Sequence, residues 1–259
     1  MVLTLLAPLV LVQAAALAPS TLEDAQLRAC MIEARSDPAA AITTASQWLQ
    51  GLSGAPTSAP QQCLGFAYMG LLRWDAAAAA FIAARDARLI DDKAARARLG
   101  AMAGNAALAG GRNEAALALL QQAGGDAAAV GDGALGGSIA TDRARAFVGL
   151  GRPLDGAQAL ASARELSPQD PTIWLLSATL ARRMEDLESA RGWIAIAAAL
   201  DPANAAVGLE AGVIAALGGS DDAARASFQS VIDLAPRSAE ADTARTYLAQ
   251  LSAVEEPAE

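Results

Sequence analysis

Cys30 and Cys63 are the only thiols in this chain, and there is no histidine to activate either of them. Without imidazole the chain cannot form a Ser-His or Cys-His nucleophile pair, and it lacks the commonest general base and metal ligand. The cysteines lie far apart, with no C-x-x-C, so neither a zinc knuckle nor a dithiol redox motif is present. Serines, aspartates and glutamates recur along the chain, but no spacing singles out a nucleophile or a paired acid and base. The segment Gly131-Asp132-Gly133-Ala134-Leu135-Gly136 fits G-x-G-x-x-G. A dinucleotide site needs a strand just before those glycines, and Gly124 to Val130 is a poor strand. These residues therefore predict a protein that is not an enzyme and has no cofactor and no metal site.

The elements that carry these residues follow from composition. The chain has 259 residues, of which 54% are hydrophobic and only 4% aromatic. Alanine dominates the apolar share. It has the best helix propensity and little bulk, so closely packed helices are expected and the fold class is all-α. The net charge of −9 at pH 7 repels phosphate backbones, so no nucleic-acid partner is expected. Charges are spread along the chain. After the N-terminus no uncharged apolar run approaches the roughly 18 residues of a membrane span.

Residues 1–18 carry no charged side chain. The apolar run Leu3 to Val12 is followed by Ala14, Ala15, Ala16 and Ala18, the layout of a signal peptide with an A-x-A cleavage site. Pro19 disfavours cleavage just before it, which places the cut after Ala16. A short buried helix is the alternative. Export implies a periplasmic or other extracytoplasmic location, with no stable membrane span once the signal is removed.

Leu166-Ser167-Pro168, Leu200-Asp201-Pro202 and Leu234-Ala235-Pro236 recur at a spacing of 34 residues. Each proline ends a helix that it cannot continue. Between prolines, Trp174, Ser177, Ala178 and Ala181 fall on one helical face, and Ala190, Ile194 and Ala197 mark a second helix after a turn near Met184 to Asp186. The next unit repeats the offsets with Gly208, Gly212, Ala224, Phe228 and Val231, and the preceding one with Ala144, Phe147, Gly156, Leu160 and Ala163. Upstream, Gly65, Tyr68, Ala77, Phe81 and Ala84 fit, as do Gly104, Ala107, Ala116 and Leu120. Ala29, Ala41 and Ala45 open the array.

This pattern resembles the tetratricopeptide repeat (TPR). The resemblance covers residues 22–252. It implies a right-handed α-solenoid of stacked antiparallel helix pairs with a concave groove, closed by a capping helix over residues 238–250. The expected organisation is helix pairs over 22–123, a glycine-rich loop over 124–138, a three-unit array with its cap over 139–252, and a disordered acidic tail over 253–259 that contains Glu255 and Glu256. A second long loop is expected from Gly51 to Pro60.

In the family the first helix of each pair lines the groove. Carried onto this chain, the groove-facing positions are Arg98 and Asn105, then Thr141 and Arg145, then Thr172, Leu175, Thr179, Arg182 and Arg183. A later apolar stretch adds Leu209, Val213 and Leu217. Arginines beside apolar positions on an acidic protein suit an extended peptide that bears a carboxylate. The same arginines are equally read as solvated, or as paired with Asp142, Glu185 and Glu188. With Lys93 as its single lysine, the chain lacks the lysine and asparagine pattern by which some members grip a C-terminal carboxylate. The resemblance also puts Cys30 and Cys63 on the first helices of consecutive pairs, where a disulfide would staple the N-terminal end; two separate buried thiols are the alternative. The implied function is a scaffold that binds a partner protein or peptide in its groove. The other reading is a self-associating spacer, a homo-oligomer without a specific ligand.

Overall fold

The computed structural model describes residues 22–255. The expected signal peptide lies outside the described residues. Thirteen α-helices follow one another, with no strand among the described residues. The first three pairs are α1 (Leu22–Ser36) with α2 (Pro38–Leu49), α3 (Ser58–Gly70) with α4 (Trp74–Ala87), and α5 (Lys93–Ala109) with α6 (Asn113–Ala129). Next come α7 (Gly133–Gly149) with α8 (Pro153–Leu166), α9 (Pro171–Arg183) with α10 (Leu187–Leu200), and α11 (Ala205–Leu217) with α12 (Asp221–Leu234). Helix α13 (Ala239–Glu255) covers the last pair. Each helix packs on the next, giving the right-handed solenoid.

Local chemistry sets the boundaries. Asp37, Asp92, Asp132, Asp170, Asp186 and Asn204 each accept a backbone N–H of the helix that follows, satisfying donors a helix start leaves open. The turn inside each of the five pairs from α3–α4 onward has one left-handed residue. Gly111, Gly151 and Gly219 supply it, while Leu72 (φ 57°) and Glu185 (φ 64°) adopt it without being glycine.

The core runs along the second helices at one offset. Ala77, Phe81 and Ala84 are buried in α4, as are Ala190, Ile194 and Ala197 in α10 and Ala224, Phe228 and Val231 in α12. Opposite the large residue of each pair stands a small one on the first helix. A Cβ on Gly65 would sit 2.5 Å from the Phe81 ring, and one on Gly212 2.3 Å from the Phe228 ring. Where the partner is the slimmer Ile194 or Leu160, the small residue is Ala178 or Ala144, both buried.

Four expectations need correction. The loop over 124–138 does not exist: α6 continues to Ala129, and only Val130, Gly131 and Asp132 separate it from α7. Packing of both helices outweighs the low helix propensity of their glycines, with Gly131 at φ 68° turning the chain and Asp132 capping α7. The connection from Gly51 ends at Thr57, because Ser58, Ala59 and Pro60 form the first turn of α3, where proline's missing N–H is not needed. In the first pair Cys30 and Ala34 are buried and Ala29 is exposed. Only Asp37 separates α1 from α2, a shorter connection than in the later pairs. Helix α13 runs to Glu255, through the start of the segment expected to be a disordered tail; residues 256–259 lie outside the described residues.

Candidate functional site

The first helices do not approach one another evenly. α5 packs against α7 and α9 against α11, whereas α3 and α5, and α7 and α9, scarcely meet. The concave face therefore opens at two notches. The one between α7 and α9 has a volume of about 320 Å³. Thr141, Arg145, Thr179 and Arg183 stand around it, over an apolar floor that includes Val148, Leu160, Leu176 and Leu180. Thr141 spends its hydroxyl locally, donating to the Gly137 carbonyl at 2.9 Å.

Arg145 is half exposed and donates to the buried Asp142 carboxylate at 2.7 Å. Burial pushes the Asp142 carboxyl above its ordinary value of 3.8; the Arg145 charge and hydrogen bond and the Asn105 amide pull it back in part. Asn105, on α5, thus joins the site through Asp142 and not through the notch itself. A carboxyl raised on folding favours the protonated folded state. Its contribution is full below pH 3.8 and is lost as pH rises through the folded value. The stability of Asp142→Asn relative to the parent, from urea unfolding at a series of pH values, is expected to rise across that window. A pH-independent difference would contradict it.

Arg182 is not available to a ligand. Its Nε and Nη2 donate to the two carboxylate oxygens of Glu210 on α11, at 2.6 and 3.1 Å, with both side chains mostly buried. This fork ties α9 to α11. Sequence reasoning named Glu185 and Glu188 as counter-ions; they follow Arg182 along the chain, whereas the actual partner is one pair further on. Arg183 is exposed with no ion-pair partner among the described residues. Arg98 lies apart, in the second notch of about 290 Å³ between α3 and α5, near Gln62, Arg88 and Asp92. Of the other groove positions, Thr172 is exposed. Leu175, Leu209 and Val213 pack onto the cores of the last two pairs, and Leu217 is exposed.

Sequence reasoning missed Leu176 and Leu180. Both lie within one turn of Thr179, so their helical spacing was the available signal. Sequence reasoning named Asp142, which does hold Arg145, but missed Glu210, which holds Arg182.

Cys30 and Cys63 are joined as a disulfide across α1 and α3, with Cα atoms 6.0 Å apart. Around it lie Ala45, Leu64 and Ala80. No helix among the described residues is long and apolar enough to cross a membrane, and no group of acidic or cysteine side chains among them has the arrangement of a metal site.

No protein-family model matches the chain, and no curated protein matches it in sequence. Solved structures do. PilW, a type IV pilus biogenesis factor, superposes with a TM-score of 0.67 at 16% identity, over 86% of this chain and 98% of its own. PilF of Pseudomonas aeruginosa gives 0.66 at 17% identity, over 87% and 97%. YrrB, a TPR protein with an unusual peptide-binding site, gives 0.52 at 20% identity, over 72% and 91%. At these identities the likeness establishes a shared fold.

Proposed function

We propose, on the premise that this chain is a tetratricopeptide-repeat solenoid, that it is an exported interaction module that holds an extended segment of a partner protein in its concave groove. The α7–α9 notch carries this reading. Arg145 and Arg183 flank an apolar hollow on a protein of net charge −9. Such a site suits an apolar side chain beside a carboxylate, and Thr179 supplies a further polar group. The alternative reading, a spacer that pairs with itself, would bury this hollow between copies.

YrrB's peptide-binding site shows that the fold can serve this purpose in another protein. The pilus-biogenesis role of PilW makes envelope-assembly proteins the first partners to test. Export rests on residues 1–18; N-terminal sequencing of the mature protein is expected to begin at Leu17.

The test is retention of envelope proteins by the immobilised mature chain, compared with an Arg145→Ala/Arg183→Ala variant. Arg182 is left intact because its loss would cut the link to α11. Losing two charge-assisted contacts is expected to reduce retention at least tenfold. Equal retention by both proteins would exclude the groove arginines. A stable dimer in light scattering that is broken by the double substitution would favour the self-associating reading.

A further inference from the structure

The two ends of the solenoid are finished differently. At the C-terminal end α13 lies on the last pair and turns Asp242, Arg245, Thr246 and Gln250 outward, the polar cover that an array of stacked pairs needs. At the N-terminal end α1 packs on α2 and α3, and its outward face carries Leu22, Ala25, Ala29 and Ile32, all exposed. These four follow one another at intervals of three, four and three residues, the a and d spacing of a helix that pairs with another helix. The stripe faces away from the buried Cys30 and Ala34, and Leu22 is the most exposed large apolar side chain among the described residues.

Two observations bear on what covers this face. The first is the charge beside the stripe. At helical spacing Arg28 and Arg35 flank it on one side, and Gln26 and Glu33 on the other. Neither Arg28 nor Glu33 is in an ion pair among the described residues. In a parallel pair of α1 helices, Arg28 of each copy meets Glu33 of the other, five positions further along, the contact that flanking charges make beside an a and d seam. An antiparallel pair would instead set one arginine flank against the other. The face is therefore complementary to itself, in one orientation. The second is the length of chain ahead of α1. With the cleavage proposed after Ala16, Leu17 to Thr21 precede Leu22. As a helix they would span only about half of the roughly 15 Å from Leu22 to Ile32, before any residue is used to reverse the chain. They are too short to cover the stripe.

We propose that α1 is a dimerisation helix: two copies of this chain associate about a two-fold axis, through parallel α1 helices that bury Leu22, Ala25, Ala29 and Ile32 against the same residues of the other copy. Ala25 and Ala29 let the helices come close, and Leu22 and Ile32 fill the seam at its two ends. The Cys30–Cys63 bond pins α1 to α3 from the other side, so the ridge is held in place while it makes this contact. Because the stripe faces away from the rest of the solenoid, the two bodies diverge and both concave grooves stay open, which makes the dimer bivalent. A pair of helices of 15 residues each buries less than the roughly 1,200 Å² of a standard interface, so the dimer is reversible.

The test is sedimentation equilibrium of the mature chain from micromolar to millimolar concentration, where a monomer–dimer equilibrium is expected. Ile32→Glu, at an exposed position that the fold does not need, should weaken it at least about tenfold. Arg28→Glu and Glu33→Arg should each weaken it about fivefold, because each sets like charges against one another. Mixed in equal amounts, these two variants should associate as tightly as the parent, since every pair across the seam is again of opposite charge. Arg145→Ala/Arg183→Ala should leave the equilibrium unchanged, which separates this contact from self-association through the groove. A chain that stays monomeric throughout, a dimer indifferent to Ile32→Glu, or charge variants that do not recover on mixing would each overturn the proposal.

Discussion

Phe228→Ala is expected to cost about 3–5 kcal/mol, the range for emptying a buried aromatic site, and to loosen α11, α12 and α13 together. Phe228 is 1% exposed. Its ring fills the space left by Gly212 and packs at 5.4 Å on the Tyr247 ring of the cap, so one truncation loosens the last pair and its lid. Gly212→Ala probes the same contact from the other side. Alanine gains about 1 kcal/mol of helix propensity, but its methyl group would meet a ring that cannot withdraw, and overpacking of this kind costs about 1–3 kcal/mol. A net loss of stability is expected. Combining Gly212→Ala with Phe228→Leu should recover part of it, because Ala144 opposite Leu160 already accommodates that pairing two units earlier. Chemical unfolding with amide exchange in α11–α13 checks the set. Independent, additive effects of the two substitutions would contradict the account of this contact.

Removing the Cys30–Cys63 link is expected to destabilise the N-terminal end by about 2–4 kcal/mol. The cysteines are 33 positions apart, a loop long enough for its closure to restrict the unfolded chain substantially. The folded side of the argument is equally specific. α1 buries only Cys30 and Ala34, while Leu22 and Ile32 are 85% and 67% exposed, so its packing alone is thin. Because each pair leans only on its neighbours, the loss should stay local. Amide exchange with and without reductant is expected to show α1 and α2 opening while α7–α12 keep their protection. Unchanged exchange in α1 after reduction would contradict a stapling role.

Where the fold was legible in the sequence, a short-range pattern carried it. Pro168, Pro202 and Pro236 end helices, and the Ala-x-x-x-Phe or Ala-x-x-x-Ile spacing marks the buried stripe of each second helix, because both depend only on neighbours along the chain. The α6–α7 junction was not legible. Gly124, Gly125, Gly136 and Gly137 read locally as a loop, and packing against α5 and α8 is what holds them helical. Similarly, α1 buries Cys30 and not Ala29, which no periodicity within α1 reveals.

The site was legible to the extent that it follows the repeat. Arg145 and Thr179 occupy the same offset one repeat apart, Thr141 and Arg183 lie one turn from them on the same two helices, and all four converge on one notch. Arg182 shares that helix, but its fate depends on Glu210, 28 residues downstream, and such a pairing needs the third dimension. The separation of α7 from α9, which opens the notch, is likewise a property of helix packing and has no sequence signature.

The most direct measurement is site-specific photo-crosslinking of the mature protein in its native compartment, with the reactive residue placed at Thr179 in the groove or at Gln229 on the exposed face of α12. A discrete adduct with another protein is expected from Thr179, diminished by Arg145→Ala/Arg183→Ala and absent from Gln229. Adducts from Gln229 alone, or from Thr179 only with a second copy of the same chain, would contradict a groove that binds a partner.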